Sequence, residues 1–159
     1  MKVAIIMGSK SDYEVVKKAE AVLDTFGVEY VTRVISAHRT PAVAENFSKT
    51  AEKEGFDVII AAAGKAAHLA GVLAANTPLP VIGIPMKTSD LGGMDSLLSV
   101  VQMPKGVPVA AVAIGGAENA AYLAVQMLGL KDAAIREAFV KYKKQMEEEV
   151  IAIDREFQK

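Results

Sequence analysis

Short runs of Val, Ile and Ala alternate with helix-length segments along the whole chain. Residues 3–7, 31–35, 58–62, 81–84 and 109–114 are short apolar runs rich in Val, Ile and Ala, interrupted only by Thr32 and Arg33 in the second and Gly83 in the fourth. Continuous apolar strands belong to sheets covered on both sides, which are almost always parallel. Parallel strands need crossovers, and residues 13–26, 42–54, 67–76 and 94–102 supply them, with 117–128 following the last strand. Gly27, Gly55 and Gly129 stand where helix C-caps belong. The pattern predicts an α/β three-layer sandwich with a central parallel sheet of about five strands.

A chain of 159 residues fills one domain, so residues 1–159 are expected to fold as a unit. A formal net charge of −1 gives no basic field for nucleic acid or an anionic membrane. With no cysteine, disulfides, thiolate metal sites and thiol catalysis are excluded. The apolar start of the chain runs straight into Gly8-Ser9-Lys10-Ser11-Asp12, which is not a cleavage site, and residues 58–86 are broken by Lys65, His68, Asn76 and prolines. A cytoplasmic protein with no membrane span is expected.

Residues 132–159 follow a different pattern. Ile135, Phe139, Tyr142, Met146, Val150, Ile153 and Phe157 recur at steps of three or four, which marks one apolar stripe on a long C-terminal helix. Such a helix is about 40 Å long and outruns a domain of this size. Its far end is expected to pack on a neighbouring subunit, since a monomer rarely exposes so much apolar surface.

The polar residues gather on the loops that follow the strands. Gly8 to Asp12 leads from the first strand into the first helix, where backbone N–H groups and the Ser9 and Ser11 hydroxyls suit a phosphate. Asp12 either accepts from a ribose hydroxyl or caps the helix. Neither a P-loop nor a dinucleotide fingerprint is present. Ser36-Ala37-His38-Arg39-Thr40-Pro41 follows the second strand, with Thr40 placed as N-cap and Pro41 at the first helical position. Arg39 offers a fork of donors to a second phosphate edge. His38, one of two histidines, brings the side chain best suited to exchanging a proton near neutral pH. Gly64-Lys65-Ala66-Ala67-His68 follows the third strand, and its small residues allow close backbone approach. Lys65 and His68, three apart, would share a face of a first helical turn. Two histidines without a carboxylate cluster do not make a metal site. Residues 87–93 and 115–119 are candidates for the rest of the rim, and the proline-broken segment 102–108 for reaching this cleft or a neighbour's.

The segments Gly8–Asp12, Ser36–Pro41, Ala66-Ala67-His68-Leu69 and Asp95-Ser96-Leu97, continuing to Val101-Gln102-Met103-Pro104, together resemble the class I PurE family of N5-carboxyaminoimidazole ribonucleotide mutases. The resemblance runs over nearly the whole chain. It implies a flavodoxin-like sandwich, a homo-octamer with the C-terminal helix on another subunit, and a reaction without cofactor. That reaction moves a carboxylate from N5 of an aminoimidazole ribonucleotide to C4, in purine biosynthesis. By the same resemblance His38 is the proton shuttle, Ser9, Ser11 and Arg39 hold the 5′-phosphate and Asp12 the ribose; His68 is a second catalytic candidate, and Ser36, Gly64 and Lys65 are further substrate-binding candidates. Where many members have Gly-Gly-Ala-Ala-His-Leu-Pro-Gly, this chain has Lys65 for a glycine and Ala70 for the proline.

Two rival readings have distinct signatures. Class II relatives, which carboxylate aminoimidazole ribonucleotide directly with carbon dioxide, resemble Arg-Ser-Asn where this chain has Ala66-Ala67-His68. A flavin carrier or phosphorylation receiver shares the fold, but a receiver needs an acidic cluster at the strand ends. Here the first and third strands end in Met7-Gly8-Ser9 and Ala62-Ala63-Gly64.

Overall fold

A computed structural model describes residues 1–158. Five parallel strands, β1 (Lys2–Met7), β2 (Glu29–Val34), β3 (Val58–Ala63), β4 (Val81–Pro85) and β5 (Ala110–Ala111), lie in the order β2-β1-β3-β4-β5. Side chains alternate between two cores, as strand geometry requires. Val3, Ile5 and Met7 of β1 face α1 (Tyr13–Thr25) and α5 (Ala117–Leu128), whereas Ala4 and Ile6 face α2 (Pro41–Thr50) and α3 (Leu69–Ala74). Both cores are closed, so neither face of β1 has a polar position to spare. α4 (Met94–Val101) lies beside β4 and β5, and Val100 packs against Gly83 so closely that a Cβ on that glycine would stand 2.4 Å from the valine Cγ1.

The fifth strand is shorter than the apolar run 109–114 suggests, because only Ala110 and Ala111 pair with β4. Glycine punctuation also divides into two kinds. Gly27 and Gly55 adopt φ of +63° and +84°, as C-cap positions demand, but Gly129 has φ −62°. Its need for glycine is contact: a Cβ there would lie 3.2 Å from Arg136 Cα.

α6 (Ala133–Phe157) matches the long terminal helix, and Lys159, the last residue of the expected span, lies outside the described residues. Asp132 caps it by accepting from the Ala134 and Ile135 N–H groups. Only its first half meets its own domain. Phe139 and Tyr142 join Phe26 and Tyr122 in an aromatic cluster, with Tyr142 donating to the Tyr122 hydroxyl at 2.6 Å. From Met146 onward the stripe is bare, with Val150 67% and Phe157 80% exposed.

Candidate active site

Register brings the strand ends to one edge: Met7 lies beside Val34 and Ala62, and Ala62 beside Ile84. The chain leaves β1 toward helices on one face and β3 toward helices on the other, so a crevice opens between those strands at the switch point. A cavity of about 460 Å³ fills it, lined by the loops that follow β1, β2, β3 and β4. All of the expected site residues, Ser9, Ser11, Asp12, Ser36, His38, Arg39, Gly64, Lys65 and His68, line this one cavity. The loop after β5 and the segment 102–108 do not.

In the first loop Ser9 caps a single 3-10 turn, accepting from the Ser11 backbone at 3.3 Å and from the Ser11 hydroxyl at 2.9 Å. Asp12 makes no side-chain cap. Its carboxyl instead borders the cavity, and burial raises its pKa above the ordinary carboxylate value against the lowering effect of bonds from Ser11 and Ser9.

The second loop is tied to itself. Thr40 turns back to Ser36, accepting from its N–H at 3.0 Å and donating to its carbonyl at 2.9 Å, in place of the cap expected on α2. Pro41 does open that helix. Arg39 bridges two loops: Nη2 donates to the Gly8 carbonyl at 2.7 Å and Nε to Ser36 Oγ at 3.3 Å. The guanidinium is thereby held beside Ser9 and Ser11 on the cavity wall.

His38 crosses to the third loop, with its Nε2 3.2 Å from His68 Nδ1 and the two rings nearly perpendicular. A bond between two ring nitrogens needs one hydrogen between them, so one imidazole donates while the other accepts. Lys65 does not share a face with His68, because α3 begins only at Leu69 and Lys65 adopts φ +58°. That left-handed conformation explains why glycine suits this position in the resembling sequences. The Lys65 ammonium instead pairs with Asp90, and each holds the other charged, raising the lysine pKa and lowering the aspartate's.

The fourth loop carries contributors whose roles sequence reading did not assign. Thr88 donates to Asp95 at 2.6 Å and accepts from the Gly93 N–H, while buried Ser96 donates to the Met86 carbonyl at 2.6 Å. These bonds fix Met86, Lys87, Thr88 and Ser89 on the rim. The Asp95-Ser96 pair was visible as a motif, but its work on a loop seven residues earlier depends on the tertiary fold. Among the described residues no group of three or more His, Asp and Glu side chains converges as a metal site would require.

A doubly wound sheet in the 2-1-3-4-5 order, with a polar cleft at its switch point, defines a flavodoxin-like α/β protein. The family model described as AIR carboxylase matches residues 2–149. An N5-carboxyaminoimidazole ribonucleotide mutase of Saccharolobus solfataricus is 53% identical over 151 residues, covering 95% of this chain and 96% of the relative. One of Pyrococcus abyssi is 57% identical over 145 residues, covering 91% and 83%. The crystal structure of Treponema denticola PurE matches with a TM-score of 0.89 at 30% identity, over 99% of each chain. This chain belongs to the AIR carboxylase family.

Proposed function

We propose that this protein is an N5-carboxyaminoimidazole ribonucleotide mutase, an isomerase that converts its substrate to 4-carboxy-5-aminoimidazole ribonucleotide for purine synthesis. The observation that carries the reading is the His38–His68 contact in the switch-point cleft of a chain more than half identical to named mutases. In this reading Ser9, Ser11 and Arg39 bind the 5′-phosphate, where two hydroxyls and a guanidinium stand together. Asp12 accepts from the ribose, Ser36 holds Arg39 in place, and the Gly64 backbone faces the carboxylate.

The chemistry then needs one mobile proton. Delivered to N5, it lets the N5–carboxylate bond break, leaving aminoimidazole ribonucleotide and carbon dioxide. C4 is the carbon end of an enamine and bonds the carbon dioxide. The C4 proton then leaves as the ring regains aromaticity, so one proton is spent and one returned. His38 carries it, while His68 Nδ1 holds the His38 ring through the other half of the cycle. No external base or cofactor enters this balance, and recapture depends on proximity within the cleft.

The working form in this reading is one folded unit per chain, assembled as a homo-octamer. The bare half of α6 and a second apolar face at Leu91, Met94, Leu98 and Val101 of α4 and its loop give each subunit two surfaces to cover. A phosphorylated substrate does not diffuse through a bilayer, so the enzyme belongs with its supply in the cytoplasm. No described helix is long and apolar enough to cross a membrane.

The deciding experiment supplies N5-carboxyaminoimidazole ribonucleotide labelled in its carboxylate, at neutral pH without added bicarbonate. The label should appear largely in the C4-carboxylate. Product formed only from aminoimidazole ribonucleotide plus carbon dioxide would instead establish a direct carboxylase, and no turnover of either substrate by folded protein would end the enzyme reading.

A further inference from the structure

Lys65 is the one non-glycine among the described residues with a positive φ. A side chain with a Cβ is disfavoured there, and such conformations gather where surrounding structure and function fix them. The fixing contact is an ion pair: the ammonium reaches from the loop after β3 to Asp90, on the loop after β4. The first loop lines the cavity through Gly64 and Ala66, the second through Thr88 and Ser89. Among the described residues the other ion pairs lie within single helices or join β1 to β2, so this is the one ion pair that ties two cavity loops together. Thr88, through Asp95 and Gly93, anchors the second loop to α4, so the tether ends on fixed structure.

We infer that Lys65 and Asp90 are a positioning pair, a latch across the cavity mouth that keeps freed carbon dioxide beside C4 until it is captured. The inference rests on the mutase reading. Carbon dioxide is neutral and small, so no charged group grips it, and its retention is a contest between capture and escape. An ion pair joining two walls of the mouth slows escape without touching substrate. Both side chains are more than half exposed, at 64% and 61%, so the latch is weak and screened by salt.

The test follows the carboxylate label in excess unlabelled bicarbonate and measures the fraction lost from the C4-carboxylate. Lys65→Gly suits the left-handed backbone, and Asp90→Asn keeps the shape of the aspartate, so both variants fold. Each should raise the lost fraction about two- to fivefold at low salt, the range an exposed ion pair supports. The reversed pair, Lys65→Asp with Asp90→Lys, should restore most of the retention. Loss equal to the parent's in both single variants overturns the latch, as does a reversed pair no better than either. Amide exchange of residues 64–67 in ligand-free Asp90→Asn should quicken by a similar factor, and unchanged exchange also overturns the tether. A parent that converts no labelled substrate removes the mutase reading and the retention role together; a parent that converts it with unmoved label loss removes the latch alone.

Discussion

Adding one methyl group at Gly83 should unsettle both the core and the cleft. The residue lies in the middle of β4, opposite Ala61 and Ala111, and an ideal Cβ would stand 2.4 Å from Val100 Cγ1, 3.2 Å from Val109 Cγ1 and 3.3 Å from Ala70 Cβ. Carbon atoms rest about 3.5–4.0 Å apart, so the overlap with Val100 alone exceeds about 1 Å. Val100 is 1% exposed and cannot turn into solvent; α4 has to move. Overpacking of this kind costs about 1–3 kcal/mol, and for a chain of this length that lowers Tm by about 2–12 °C. Because α4 also carries Asp95 and Ser96, which pin Thr88 and Met86, the same displacement should reach the rim and raise KM. Thermal unfolding at fixed protein concentration measures the first effect, since in the proposed assembly stability depends on concentration. Clearing the contact with Val100→Ala should absorb the added methyl, leaving the double variant within about 0.5 kcal/mol of Val100→Ala alone. Gly71→Ala is the control: its Cβ meets only Met103 Sδ and Cε at 3.1 Å, the flexible end of a side chain, so stability should hold. A Gly83→Ala protein as stable as the parent, or a strictly additive double variant, refutes this account of the β4–α4 contact.

His38→Asn should bind the ribonucleotide as the parent does by calorimetry yet lose about 10²- to 10⁴-fold in rate; parental turnover would remove His38 from the chemistry. Asp12→Asn should weaken substrate binding while stabilising the folded protein at pH 7. The sign follows from the raised pKa: ionised Asp12 opposes folding, and that opposition fades as pH falls through its folded pKa, so urea midpoints of parent and variant should converge in acid. Replacing Val150, Ile153 and Phe157 together by Glu should leave the fold intact by circular dichroism but shift sedimentation to smaller species, and an unchanged sedimentation coefficient would show that the outer half of α6 covers no partner.

What the sequence disclosed was whatever local pattern controls. Continuous apolar runs specified parallel strands, and the strand-to-helix position of Ser9, His38, Arg39 and His68 was enough to put them on one edge. Pairwise contacts across the cleft were beyond it. That His38 reaches His68 depends on how two loops face each other over β1 and β3, and Lys65's rotation toward Asp90 depends on a backbone angle that no spacing rule encodes. Likewise Thr40 reads as a helix cap, and Asp12 as either a cap or a ribose acceptor, because cap preference is local; the structure commits Thr40 to Ser36 and turns Asp12 to the cavity. Gly83 carried no signal, since its meaning lies in Val100, which is distant in the chain.

The pairing of α1 with α5 over one face of the sheet has a consequence for how the chain comes into being. β1 and α1 are made before the rest of the sheet, yet the face they share with β3 and β4 is not closed until α5 has been made. Roughly 100 residues separate the end of α1 from the end of α5, about 5–20 s of synthesis at 5–20 residues per second. From the moment each is made until α5 emerges, Ile60, Ile82 and Ile84 lack that helix's cover, and the nascent chain presents an apolar surface that its own last third completes.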